Sequence, residues 1–343
     1  MSDFCRLTDR SPRPDRRQLL SAMVPPPRFA EVALDTYQPS PREPSQSAAV
    51  AALRSFAARV AAPMVQRRSW WRRAPAPPEQ RSGVYLDGGF GVGKTHLLAS
   101  LWHVVPEPKT FCTFVELTHL VGALGYENTI EALADNRLLC IDEFELDDPG
   151  DTVLMSSLLS RLTDRGVSLA ATSNTLPDRL GEGRFAADDF LREIQGLAAH
   201  FDVYRIDGDD YRHRGAAYAP KPSSTSDLEL AAKELGSKAS LDDFGALLAH
   251  LTAVHPSAYG SLVQGIDLAC MRGVRPIDDQ AVALRFVVLV DRLYDRSVSV
   301  MASGSPVDEV FTVELLEGGY RKKYFRAISR LVSLVNSEPV ART

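Results

Sequence analysis

Taken for its alternation of apolar and polar positions, the chain divides into short apolar runs and longer stretches with helical spacing. Ala48, Val50, Leu53, Phe56 and Val60 predict a helix from Ser45 to Val60, with Ser45 as its N-cap. Gly83-Val84-Tyr85-Leu86 is short and apolar and predicts a strand, and Leu97, Leu98, Leu101 and Trp102 outline a helix after it. Thr110 to Val115 reads as a strand, and Glu116 to Leu124 and Asn128 to Ala134 read as short helices. Leu138-Leu139-Cys140-Ile141 is the unbroken apolar run of a parallel strand buried on both faces. A helix from Thr152 to Asp164 leads into a second buried strand, Val167 to Asn174, which ends in small polar residues. Helical stretches at Asp178–Gly181 and Asp188–His200 and a strand at Val203–Asp207 complete this part. The alternation predicts an α/β fold with a parallel sheet flanked by helices.

Residues 213–240 mix Pro, Ser, Lys and Gly and read as a linker or mobile insertion. Beyond them come a helix through Phe244, Leu247, Leu248 and Leu251, a strand at Leu268–Met271, a helix from Asp279 to Tyr294 and a strand at Val298–Ala302. These look like a second βαβ unit, closed by a basic amphipathic helix from Tyr320 to Val335. Leu158–Ala171 echoes Leu289–Ala302, matching Arg161 to Arg292, Asp164 to Asp295, Val167 to Val298 and Ser168 to Ser299. In that register Asn174 falls opposite Ser305, so the echo is a reused helix–strand piece without a second nucleotide site, or a chance likeness. The expected division is a basic N-terminal arm with one helix (1–82), a core (83–212), the linker (213–240) and a C-terminal α/β, lid-like extension (241–343).

Composition alters this picture in four ways. At 343 residues the chain can bury a large core and two lobes are plausible, while no run of 18 apolar residues is present to span a membrane. Cys5, Cys112, Cys140 and Cys270 lack metal-ligand spacing and read as reduced thiols. With no apolar signal region and three early aspartates, neither secretion nor organelle import is expected, so the expected place is the cytoplasm. The net charge of −5 hides an asymmetry: residues 1–82 carry 14 Arg against 7 Asp and Glu. A basic arm on an acidic body fits an anionic partner or association of the two parts. Within the arm, Arg67-Arg68-Ser69-Trp70-Trp71-Arg72-Arg73 either clamps phosphates or lipid headgroups, or is a loop whose tryptophans pack back on the body. Residues 1–30, rich in Pro and Arg, read as mobile or draped over the surface.

The chemistry concentrates after the first core strand. Gly88-Gly89-Phe90-Gly91-Val92-Gly93-Lys94-Thr95 fits G-x-x-x-x-G-K-[ST] between a strand and a helix, and these residues with the adjoining His96 are the expected nucleotide-binding set. Backbone N–H groups of a tight glycine loop and the positive end of the next helix form an anion nest suited to a nucleoside triphosphate. Lys94 would reach the β- and γ-phosphates and Thr95 would bind Mg²⁺. Asp142 and Glu143, at the C-terminal end of a buried strand, fall where open α/β sheets bind ligands. Asp142 is placed to hold the Mg²⁺ shell and Glu143 to act as general base on the attacking water. Asn174 could contact the γ-phosphate or that water. Arg179, Arg184 and Arg192 are candidate arginine fingers, Arg184 foremost, and a finger would imply a ring or a dimer.

The glycine loop, Asp142-Glu143-Phe144, Ala171-Thr172-Ser173-Asn174, Phe190-Leu191, Asp210-Tyr211-Arg212, Leu293-Tyr294-Asp295-Arg296 and Ser329-Arg330-Leu331 together resemble the ZapE cell-division ATPases. These are P-loop NTPases of AAA+ type, related to mitochondrial lactation-elevated-type ATPases. The resemblance runs from about Gln46 to Leu334. It implies ATP and Mg²⁺ as cofactors, ATP hydrolysis, and action at the division ring through the tubulin-like FtsZ or another protein client. The mitochondrial relatives imply protein quality control instead. Carried over, Lys94 and Thr95 bind ATP and Mg²⁺, Asp142 and Glu143 form the hydrolytic pair, and Asn174 is the sensor. Many relatives have Arg before Phe-Leu where this chain has Asp189, which leaves the finger unassigned, and the last helix offers Arg326 or Arg330 as a lid-side arginine. A helicase-loader role on nucleic acid is the less favoured reading, because the acidic strand does not end in Asp-Asp and no DNA-reading element is visible.

Overall fold

Tyr85 and Leu86 are fully buried on opposite faces of one strand, which is why that strand has no polar side and must lie inside a sheet. The computed structural model describes residues 4–12, 16–62, 81–89, 91–146, 149–180, 190–208 and 220–337. Expectations for Phe90, Arg184 and the Arg67–Arg73 patch fall outside these residues. The chain forms two compact units, one of residues 16–25 and 29–214, the other of residues 1–15, 26–28 and 215–343.

The first unit contains helices α1 (Arg16–Ser21) and α2 (Pro44–Ala61), strand β1 (Gly83–Gly88) and helix α3 (Lys94–Val104). It continues with β2 (Lys109–Thr113), α4 (Phe114–Leu124), α5 (Tyr126–Leu133), β3 (Leu138–Asp142), α6 (Pro149–Asp164), β4 (Ser168–Ser173), α7 (Leu191–Ala199) and β5 (Phe201–Ile206). The five strands pair in parallel in the order β2-β3-β4-β1-β5. Each parallel step needs a crossover, and the helices supply it while covering both faces. One face packs Tyr85, Ile141, Leu169 and Phe201 with Leu117, Leu158 and Leu197, and the other packs Leu86, Cys140 and Ala170 with Leu53, Phe56 and Leu97. With glycine loop and acids at the C-terminal strand ends, this is the P-loop NTPase arrangement of AAA+ type.

The second unit contains α8 (Thr225–Leu235), β6 (Ala239–Asp243), α9 (Phe244–Ala253), α10 (Tyr259–Leu262), β7 (Leu268–Val274), α11 (Gln280–Asp295), β8 (Ser299–Gly304), α12 (Val313–Glu317) and α13 (Arg321–Val335). Its sheet is parallel, in the order β6-β7-β8.

Several elements differ from the sequence reading. The stretch 213–240, read as a linker, contains α8 and the start of β6. In α8 only Leu228 and Ala232 are buried, and β6 ends in Asp242-Asp243, so neither presents a clear apolar period. The first long helix starts at Pro44 with Glu43 as N-cap, and the Ser45 hydroxyl instead accepts from the Asp207 N–H. Strand β2 stops at Thr113 because the Thr113 side chain accepts from Glu116 N–H and Glu116 returns a bond, a capping box that starts α4 at Phe114. The helical stretch expected at Asp178–Gly181 is, among the described residues, a 3-10 turn at Pro177–Arg179. The N-terminal stretch is draped on strand edges: Met23 accepts from Phe111 N–H of β2 at 3.0 Å. Cys5 brackets β6, donating to Ala239 and accepting from Leu241, both at 3.1 Å.

The internal echo is wider in three dimensions than in sequence. Helices α3 and α8 are both 11 residues long, β2 and β6 both 5, α6 and α11 both 16, and β4 and β8 both 6. Lys109 pairs with Leu138 as Ala239 pairs with Leu268, and Leu138 pairs with Ser168 as Leu268 pairs with Ser299. Phe114 and Phe244 each open the helix after the edge strand. The second unit therefore repeats the helix–strand succession of the first, from α3 to β4.

Candidate functional site

The glycine loop runs from the end of β1 to the start of α3, and two of its glycines, Gly88 and Gly93, are sterically required. A Cβ on Gly88 would stand 2.3 Å from the Ile206 carbonyl oxygen, and Gly93 combines a φ of 90° with a Cβ position 2.6 Å from the Tyr37 ring. Tyr37 is buried, and its hydroxyl donates to the Val92 carbonyl at 2.8 Å, so a residue far upstream braces the loop from behind. Gly93 is the N-cap of α3 and offers no side-chain acceptor, which leaves the first-turn N–H groups for an anion.

Lys94 Nζ donates to the carbonyls of Gly88 (2.7 Å) and Gly89 (2.5 Å) and to Asn174 Oδ1 (2.8 Å). Thr95 Oγ1 donates to Asp142 at 3.0 and 3.2 Å. Thus Lys94, Thr95, Asp142 and Asn174, from two strand ends and one helix, meet at one place. Asn174 Nδ2 faces Glu145 Oε1 at 3.5 Å, which agrees with its oxygen pointing at Lys94. Glu143 adjoins them with a φ of 54°, a left-handed conformation that costs a non-glycine residue about 1–2 kcal/mol. Thr172 meets both acids: its Oγ1 donates to Asp142 Oδ1 at 2.5 Å and accepts from Glu143 N–H at 3.1 Å. Asp87, buried at the end of β1, has its carboxyl pushed above the usual range by burial, an effect opposed by Arg205 and Lys94. Arg205 lies 3.6 Å from it.

Not every expected residue gathers here. The His96 ring is turned to Thr36 Oγ1 (3.1 Å) and the Ala33 carbonyl (3.3 Å), and burial lowers its pKa. Arg179 and Arg192 are exposed on their elements. Arg326 and Arg330 both bind Asp291 inside the second unit. Sequence reading passed over Tyr37 and gave Thr172 no role of its own, naming it only within Ala171-Thr172-Ser173-Asn174; the small polar end of that buried strand was the available signal, whereas nothing local marked Tyr37.

The donor set suits a magnesium–triphosphate complex. Among the described residues no group of three or more His, Cys, Asp or Glu is gathered that could hold a metal alone. A threonine hydroxyl beside one carboxylate is the sparse set with which Mg²⁺ is held together with substrate phosphates.

Comparison with known proteins agrees with this geometry. The family model of the AFG1-like ATPase matches residues 14–343. The chain is 27% identical over 319 residues to the "Cell division protein ZapE" of Escherichia coli (strain K12), covering 80% of this chain and 83% of that protein. It is 26% identical over 163 residues to "Lactation elevated protein 1 homolog B" of Danio rerio, covering 41% of this chain and 32% of that protein. Among solved structures, the crystal structure of the DnaC helicase loader is similar at 17% identity and a TM-score of 0.35, over 52% of this chain and 99% of that one. A glycine loop, an acidic strand end and a family match that spans both units place this chain in the AFG1-like ATPase family, as an ATP-hydrolysing enzyme.

Proposed function

We propose that the chain couples Mg²⁺-dependent ATP hydrolysis to the regulation or remodelling of a protein partner, the FtsZ division ring. The convergence of Lys94 on Asn174 and of Thr95 on Asp142 carries the reading of the site. In it, the loop N–H groups and Lys94 bind the phosphates, Thr95 and Asp142 hold Mg²⁺, Glu143 takes the proton of the attacking water, and Asn174 orients that water or the γ-phosphate. Bound Mg²⁺ would supply neutralisation of charge on the phosphate oxygens. Similarity to a protein named for cell division supports a client at the division site. Among the described residues no helix is long and apolar enough to cross a membrane.

Steady-state ATPase assays with and without FtsZ filaments, with filament length followed in parallel, test this. Turnover should rise and filament length change together. Glu143→Gln should keep ATP bound and lose turnover by on the order of 100- to 10,000-fold. Wild-type turnover in Glu143→Gln would refute the base assignment, and stimulation by an unfolded protein but not by filaments would move the client to protein quality control.

A further inference from the structure

A threonine hydroxyl can donate once and accept at its oxygen, and that of Thr172 uses both capacities on two groups of the same site. Its only hydrogen points to Asp142 Oδ1 at 2.5 Å, and its oxygen receives Glu143 N–H at 3.1 Å. The Thr172 carbonyl also accepts from Phe144 N–H at 2.7 Å, so three consecutive residues of the acidic strand end, 142 to 144, are tied to this one residue. Thr172 is 1% exposed, which removes water as a substitute partner.

The second unit repeats half of this arrangement. Gly273, with a φ of 73°, donates its N–H to Ser303 Oγ at 3.1 Å, in the place where Glu143, with a φ of 54°, donates to Thr172. Residue 142 is there replaced by Arg272, so Ser303 has no counterpart of Asp142. The left-handed turn and its hydroxyl clasp thus belong to the fold. In the second unit glycine occupies that turn, and in the first unit a glutamate occupies it despite the steric cost.

We propose that Thr172 is the positioning residue of the hydrolytic pair: its hydroxyl fixes the rotamer of Asp142 and holds Glu143 in the left-handed conformation that aims its carboxylate. This rests on Asp142 and Glu143 being the metal-binding and base residues, as argued above. The phosphates themselves are bound by the glycine loop and Lys94, so Thr172 bears on binding only through the Mg²⁺ that Asp142 would hold, and ATP affinity is measured without added Mg²⁺ as well as with it.

The test compares Thr172→Val, which keeps the shape and loses the hydroxyl, with Thr172→Ser, which keeps the hydroxyl. Thr172→Val should lower kcat about 10- to 100-fold, the usual loss for a group that orients a reacting one. The KM and the Kd for ATP should stay within about threefold, the pattern of an interaction used after binding. Thr172→Ser should recover turnover to within about threefold of wild type. In a Glu143→Gln background, Thr172→Val should add little further loss, since both act on one step. Should the valine variant fail to fold, Thr172→Ala reads the same loss of hydroxyl in a smaller side chain. Equal losses for valine and serine, or parallel loss of ATP binding, would overturn the proposal in favour of packing. Wild-type turnover in Thr172→Val beside an inactive Glu143→Gln would overturn it while leaving the base assignment intact, and an active Glu143→Gln would overturn that assignment itself.

Discussion

Lys94 and Asn174 hold one another across the mouth of the sheet, with Nζ 2.8 Å from Oδ1. The same ammonium is bound by the carbonyls of its own loop, at Gly88 and Gly89. A phosphate arriving here competes with three oxygen acceptors for one cation. Its binding displaces at least one of these acceptors, and displacement of Asn174 would link occupancy of the loop to the end of β4.

Two variants separate these roles. Lys94→Ala should abolish ATP binding, read with a fluorescent ATP analogue. Asn174→Ala should bind ATP within a few-fold of wild type and lose turnover by about 100-fold, as when one oriented polar group is removed from a transition state.

The loop depends on the fit between Gly93 and Tyr37. Gly93→Ala would introduce a Cβ 2.6 Å from the Tyr37 ring at a φ of 90°, so ATP binding should fall sharply and the melting temperature with it. Tyr37→Phe keeps the ring and removes only the bond to Val92, a change of about 1 kcal/mol. Calorimetric titration with ATP should show a much smaller loss for the phenylalanine than for Tyr37→Ala.

Stability should fall in mild acid. Burial lowers the pKa values of His96 and His200 below the usual value of 6.5, so both stay neutral in the folded chain while the unfolded chain takes up protons. The stabilising difference is complete above 6.5 and is lost as pH falls from there through the lowered folded values. Denaturant midpoints measured from pH 7.5 to 5 should decline, and less steeply in the doubly substituted His96→Gln, His200→Gln chain.

The repeated second unit should take no nucleotide. Where α3 begins at bare Gly93, α8 begins at Ser224, whose side chain caps the helix and is joined by the carboxylate of Asp227. The cap fills the anion position and the acid repels phosphate. Equilibrium dialysis should give one ATP per chain, and none in Lys94→Ala. Half-occupancy in that variant would mean a second nucleotide site.

Much of the first unit was legible because its strands are unbroken apolar runs and its chemistry lies in one contiguous loop. Leu138–Ile141 and the residues from Gly88 to Thr95 each announce themselves locally. What stayed hidden depends on partners distant in sequence. The Tyr37 hydroxyl meets Val92, and Thr172 meets Asp142 and Glu143, contacts that no periodicity encodes. His96, next to Thr95 in sequence, was assigned to the ligand by adjacency, yet the helix turns its ring toward Thr36. In the second unit, α8 hides because its buried face is only Leu228 and Ala232, and β6 because its last two residues are acids.

The N-terminal stretch that touches β2 through Met23 and β6 through Cys5 works as a pair of stoppers. Parallel sheets end in rows of open N–H and C=O groups that invite further chains to join. Proteolytic clipping after residue 25, or a fusion partner that pulls the stretch away, would unseal both margins at once. The trimmed enzyme would then tend to associate by edge-to-edge strand pairing, a change to be separated from any assembly driven by ATP.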